Sequence, residues 1–131
     1  MDGDTDLSAR VLAAAIDVHR ELGPGLLESA YRSCFVHELR NRGLSVEAEV
    51  PLAVTYRGTM LECGYRLDLV VEGTLIVELK SVHALEALHT AQLLTYLRVS
   101  GQPLGLLINF NVLVLKRGIR RVVLTPPRSS P

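Results

Sequence analysis

The chain has 131 residues, 48% of them apolar and 21% charged, which gives room for one domain with a buried core. A mean hydropathy of +0.25 excludes a disordered tail protein. Fourteen basic residues balance fourteen acidic ones, so no global field announces a polyanionic partner. Two Phe, four Tyr and no Trp are thin for a protein that binds single strands chiefly by stacking bases on aromatic platforms.

Residues 1–6 carry Asp2, Asp4 and Asp6 and are expected to be a disordered acidic tail. The first helix is predicted over Leu7 to Leu22, where Leu7, Val11, Leu12, Ala15, Ile16, His19 and Leu22 form one stripe. Gly23-Pro24-Gly25 breaks it, and Pro24 can open a second helix running to about Asn41. Leu27, Ala30, Tyr31, Cys34, Phe35 and Leu39 then point inward, and Gly43 closes the helix. From Ser45 the period becomes that of strands: Val46 to Tyr56, Met60 to Val71 and Leu75 to Lys80, separated by Arg57-Gly58 and Glu72-Gly73. A third helix is predicted from about Leu85 to Ser100, ended by Gly101 and Pro103. Leu104 to Ile108 and Val112 to Lys116 are expected to finish the core as strands, with Ile119 to Leu124 adding an edge strand. Residues 125–131, rich in Pro and Ser, are expected to be a second disordered tail, leaving a single domain over 7–124. The order α-α-β-β-β-α-β-β implies an α/β domain, a mixed β-sheet flanked by helices.

Without the tails the body keeps 13 basic and 11 acidic residues, a charge of about +2. Cys34 and Cys63 are too few for a disulfide framework or a zinc site and are expected as buried, reduced thiols. His19, His37, His83 and His89 show no paired metal spacing and are read as structural or surface residues. No basic-then-apolar leader opens the chain, and the apolar run from Leu104 to Leu115 contains Asn109 and Asn111 and is too short to span a bilayer. The expectation is a soluble, cytoplasmic domain with no membrane partner.

The most informative stretches are Gly64-Tyr65-Arg66-Leu67-Asp68 and Leu75-Ile76-Val77-Glu78-Leu79-Lys80. Alternation along a strand puts Glu78 and Lys80 on one face. A two-residue turn at Glu72-Gly73 would oppose Asp68 to Val77, on the wrong side. A three-residue turn, Glu72-Gly73-Thr74, opposes Leu67 to Leu79, Leu69 to Val77 and Val71 to Leu75 on an all-apolar side. The other side then pairs Arg66 with Lys80, Asp68 with Glu78, and Val70 with Ile76. The hydrophobic pattern therefore selects the register that brings the carboxylates together. An exposed charge cluster is one reading of this arrangement. Against it, directly opposed like charges are unfavourable without a cation between them, and a hard divalent ion is the usual remedy. Arginine fills 12 of the 14 basic positions, which makes lysine at position 80 an unusual choice. A compact ammonium fits beside a water or phosphate where a guanidinium crowds it. On the third helix Gln92 and Tyr96 lie one turn apart on the same face, and a buried Gln92 would need polar partners.

Asp68 followed by Glu78-Leu79-Lys80 resembles the active-site pattern of the PD-(D/E)xK nuclease superfamily. Gln92-Leu93-Leu94-Thr95-Tyr96 is similar to the Q-x-x-x-Y helix of its RecB-like branch, and Gly25-Leu26-Leu27-Glu28-Ser29-Ala30-Tyr31 matches the motif of the GxxExxY protein family. Gly105 to Phe110 and Leu115 to Ile119 look like that family's C-terminal strands, so the resemblance covers residues 8–124. The departure is Leu67, where the superfamily often has proline before the aspartate. The resemblance implies a restriction-endonuclease-like core. It implies Asp68 and Glu78 as ligands of Mg2+ or Mn2+, with the main-chain carbonyl of Leu79 as a further oxygen. Glu28 is implied as a third carboxylate or a ligand through water, Lys80 as the group that places the attacking water, and Gln92 as a neighbour of the site. Tyr31 and Tyr96 read as core rings with a hydroxyl handle. The implied activity is phosphodiester hydrolysis, in DNA rather than RNA. The alternative is a non-catalytic binding or assembly module that keeps the fold. A near-neutral body offers few phosphate contacts, which points to a homodimer or a protein partner.

Overall fold

The computed structural model describes residues 3–125. The tail expected at 125–131 lies outside them except for Thr125. Of the disordered tail expected at 1–6, only residues 1–2 lie outside them, and the rest is helix, since α1 (Gly3–Leu22) begins before the apolar stripe does. An acidic residue in its first turn, Asp6, favours that start. The buried face of α1 runs through Val11, Ala14, Ala15, Val18 and His19, whose Nε2 lies 2.7 Å from the Val112 carbonyl, while Leu7, Leu12, Ile16 and Leu22 of the expected stripe are only partly buried.

The second helix, α2 (Glu28–Asn41), does not open at Pro24. Gly23 and Gly25 take φ of 70° and 101°, and the Tyr31 hydroxyl donates to the Gly23 carbonyl (2.6 Å) while accepting the Leu26 N–H (3.2 Å). Residues 23–27 are thus a loop folded onto Tyr31, whose ring stacks on Phe110 at 4.7 Å. Leu27, expected inside, is exposed. The buried face of α2 runs through Tyr31, Phe35, Val36 and Leu39, which turns Cys34 to solvent. Cys63 is exposed too, so neither thiol is the buried group expected.

Among the described residues five strands form one sheet in the order β1 (Val46–Tyr56), β2 (Thr59–Val71), β3 (Leu75–Lys80), β4 (Leu104–Asn109), β5 (Ile119–Val123). β3 and β4 are parallel and joined by helix α3 (Ala87–Ser100), and the other neighbours are antiparallel, so the sheet is mixed as expected. Helices α1 and α2 cover one face, over Leu69, Val71, Val77, Leu79, Leu106 and Ile108. Helix α3 covers the other, with Leu93, Tyr96 and Leu97 over Val70, Ile76, Leu107 and Val122. β3 and β4 are buried on both sides, which is why they read as continuous apolar runs. Helix α3 sits close to β4 because position 105 is glycine: a Cβ there would stand 2.9 Å from the Leu93 side chain.

Val112 to Lys116 is not a strand. The Asn109 and Asn111 side chains bond the main chain at Val82, and the segment bends into a short 3-10 turn at Leu115–Gly118. Gly118 packs against the Asn109 carbonyl with no space for a Cβ, and the chain pairs with β4 only from Ile119. Leu115 enters the core, whereas Leu113 and Val114 are left exposed. Among the described residues no helix is long and apolar enough to cross a membrane.

Candidate active site

The turn between β2 and β3 is the three-residue one: Glu72 and Gly73 take positive φ, and the Thr74 N–H donates to the Val71 carbonyl. It sets the pairs Val71↔Leu75, Val70↔Ile76 and Leu69↔Val77, the register that the apolar pattern selects. There the main-chain ladder stops. One step further, the Asp68 N–H donates to Glu78 Oε2 (2.9 Å) and the Leu79 N–H donates to Asp68 Oδ2 (2.8 Å). Two carboxylates have replaced the next rung of the sheet, each taking a main-chain donor of the opposite strand.

The cause lies in a kink shared with β1. Ala48 pairs with Leu69 and Val50 with Leu67, but Glu49, at φ 52°, and Asp68 are skipped. Across this point the strands exchange faces. Leu69 belongs to the α1/α2 layer, and Leu67, two residues away, joins Val50 and Leu52 in the α3 layer. The expected apolar opposition of Leu67 to Leu79 is therefore not formed, because Leu79 stays on the α1/α2 side.

Other elements converge on the carboxylates. Glu78 is only 5% exposed. Burial, and then the neighbouring Asp68 charge, push its carboxyl up to about 8, against the opposing pull of the Asp68 N–H and Lys80. From the first turn of α2, half-buried Glu28 is also raised, first by burial and then by Asp68, with Lys80 and Arg32 acting the other way. Burial first, and then Glu78, Tyr65 and Asp68, raise the Tyr96 hydroxyl. Lys80 Nζ donates to Gln92 Oε1 at 3.3 Å. Gln92 is exposed, so the cost of burying an amide does not explain its presence in α3.

The structure thus brings Glu28, Asp68, Glu78, Lys80 and Gln92 into one neighbourhood. The Leu79 side chain is core, and its main chain borders Asp68. Tyr31 lies outside the group and holds the 23–27 loop. Two members were missed in the sequence. Arg32 stands 3.6 Å from Asp68 and 3.8 Å from Glu49, and Tyr65 meets Tyr96 edge to face at 6.1 Å. Arg32 was findable as the i+4 neighbour of Glu28 on the same helix face. Tyr65 was not, because it lies between two irregularities that alternation does not foresee, the one at Asp68 and the register shift after Leu52. The histidines remain structural or surface residues: His89, for example, closes a capping box with Glu86.

Among the described residues no three His, Cys, Asp or Glu side chains are grouped to hold a metal ion. The donor chemistry of the Asp68–Glu78 pair nevertheless suits a hard divalent cation. Both groups are carboxylates, they repel each other, and one keeps its proton near neutrality because it is buried beside the other's charge.

A comparison with protein families matches residues 5–122 to the PD-(D/E)XK nuclease superfamily. No curated protein and no solved structure matches the chain. The family match spans nearly the whole fold and includes every residue of the site above, and the chain belongs to the PD-(D/E)XK nuclease superfamily.

Proposed function

We propose that this protein is a Mg2+- or Mn2+-dependent nuclease that hydrolyses phosphodiester bonds in DNA, of the GxxExxY type. The observation that carries the reading is the carboxylate pair that replaces a sheet rung at Asp68 and Glu78, with Lys80 one residue beyond Leu79. Asp68, Glu78 and the Leu79 main-chain carbonyl would hold the ion, with Glu28 joining through a water. When bound, the ion lowers the pKa of a water and neutralises phosphoryl oxygens. Gln92 orients the Lys80 ammonium, which places the attacking water and balances the charge that gathers on phosphorus oxygens. Attack is in line and breaks the bond to the 3′ oxygen. Charge supports a polyanionic substrate in spite of overall neutrality. After Glu86 the sequence has six Arg and Lys residues and no acid, and Lys116, Arg117, Arg120 and Arg121 are exposed.

A second reading, a nuclease-fold module without catalysis, draws on Arg32. Its guanidinium already pairs with Asp68 and offers the positive charge that a metal otherwise brings. Single- and double-stranded DNA incubated with the protein in Mg2+ and in Mn2+ separates the two. The nuclease cleaves, and Lys80→Ala does not. Intact DNA with every metal favours the module.

A further inference from the structure

Two hollows lie along the exposed side of α3 and share Gln92 and Thr95. One, of about 390 Å³, opens at Lys80 beside His89. The other, of about 330 Å³, lies between α3 and the β1–β2 hairpin and is lined by Leu52, Val54, Tyr65, Tyr96 and Val99. The first is bordered by the polar side chains of Lys80, His89, Gln92 and Thr95 together with Leu88 and Ala91, and the second is mainly apolar and aromatic. Together they make one trough whose charged end is the Lys80 ammonium and whose other end offers ring faces and methyl groups.

Two irregularities of the hairpin border the second hollow: the exchange of faces at Glu49 and Asp68, and a register shift between Leu52 and Ala53 that leaves Cys63 and Gly64 unpaired just before Tyr65. Without the exchange of faces, the side of the hairpin that now carries Leu52 and Leu67 would face away from α3. Tyr65 is 48% exposed and Tyr96 is 8% exposed, so one ring forms an accessible wall while the other is anchored in the core. Tyr65 packs edge to face on Tyr96 and turns the rest of its ring to the hollow that adjoins the Lys80 one through Gln92 and Thr95.

We propose that this trough binds one unpaired nucleotide of the strand being cut, with its phosphate at Lys80 and its base against Tyr65 in the apolar hollow. This rests on the nuclease reading and names the form of its substrate. A base paired within a duplex cannot enter the hollow without leaving the stack, so the site takes single strands, or ends and bubbles that are already open. Every base has a π-face, so the hollow accepts a base without reading its identity, and the Gln92 amide at the junction contacts the backbone rather than a base edge. Two phenol rings in the trough suffice for one base, which is consistent with a chain poor in aromatics.

The test is binding of fluorescein-labelled dT12 and of a 12-base-pair duplex, read by anisotropy in Ca2+, together with cleavage of the same probes in Mn2+. The wild type should bind dT12 more tightly than the duplex. Tyr65→Ala should weaken dT12 binding by roughly 5- to 100-fold, the usual worth of one stacked base, and Tyr65→Phe should restore it. Thr95→Trp, on the exposed side of α3, fills the junction and should also weaken dT12 binding, while both variants melt near the wild type. Equal dT12 binding by wild type, Tyr65→Ala and Thr95→Trp overturns the proposal, even if Lys80-dependent cleavage is present. Loss of dT12 binding in Tyr65→Ala without cleavage by any form supports the trough and refutes the nuclease reading instead.

Discussion

Replacing Glu78 with glutamine should make the metal-free protein more stable at pH 8 and leave it little changed at pH 4. The folded chain holds the Glu78 proton up to about pH 8, whereas the unfolded chain releases it near the ordinary value of 4.5. Between those values the native state binds more protons than the unfolded one, so raising the pH favours unfolding. Stability from this group is fully present below pH 4.5 and is lost as the pH climbs to 8. One pH unit across the window is worth about 1.4 kcal/mol, which puts the whole loss on the order of 5 kcal/mol. Glutamine keeps the oxygen that accepts the Asp68 N–H and carries no titrating proton. Urea unfolding of both proteins from pH 4 to 9 in EDTA gives the difference curve. With a slope of about 2 kcal/mol per M urea, the midpoints should separate by about 2 M at pH 8 and nearly coincide at pH 4. Parallel curves with a constant offset would refute the argument that Glu78 is a carboxyl buried beside a like charge.

Divalent ions should act in the opposite direction. Millimolar Mn2+ should raise the melting temperature more at pH 8 than at pH 6, because the ion displaces the Glu78 proton, and Asp68→Asn should abolish the shift. Lys80→Arg keeps the charge but not the compact ammonium, so DNA cleavage should fall about a hundredfold or more while melting and Mn2+ binding persist. Equal cleavage by Lys80→Arg and wild type would remove Lys80 from the chemistry. Tyr31→Phe should cost about 1–3 kcal/mol in urea unfolding, because the Gly23 carbonyl and Leu26 N–H both lose their partner. A silent Tyr31→Phe would mean that the 23–27 loop is not held by that hydroxyl.

The carboxylate pair was legible because two independent signals agreed on it. Apolar alternation in Leu69, Val71, Leu75 and Val77 demanded one register, and Glu72-Gly73-Thr74 could make the turn which that register needs. The kink one residue beyond was not legible, because alternation assumes that a strand keeps its faces and Glu49 adopts a left-handed backbone that few residues other than glycine favour. With it went the position of Leu67, and with it and the register shift after Leu52 went the hollow beside Tyr65. The segment Val112 to Lys116 failed differently. Its hydrophobicity is that of a strand, but side-chain amides at Asn109 and Asn111 capture the Val82 main chain, and Gly118 fits where no other residue does. Pro24 was likewise a sound helix opener that lost to two left-handed glycines and the Tyr31 hydroxyl.

Arg32 gives the most direct test of the central claim, because the resident guanidinium and a bound ion compete for Asp68. Crystals soaked in Mn2+ and measured for anomalous scattering at the manganese edge should show one ion at coordination distance, about 2.1 Å, from oxygens of both Asp68 and Glu78. The Arg32–Asp68 pair should be broken in that structure. A map with no anomalous peak between these carboxylates, and with Arg32 still on Asp68, contradicts a metal-dependent centre at this site.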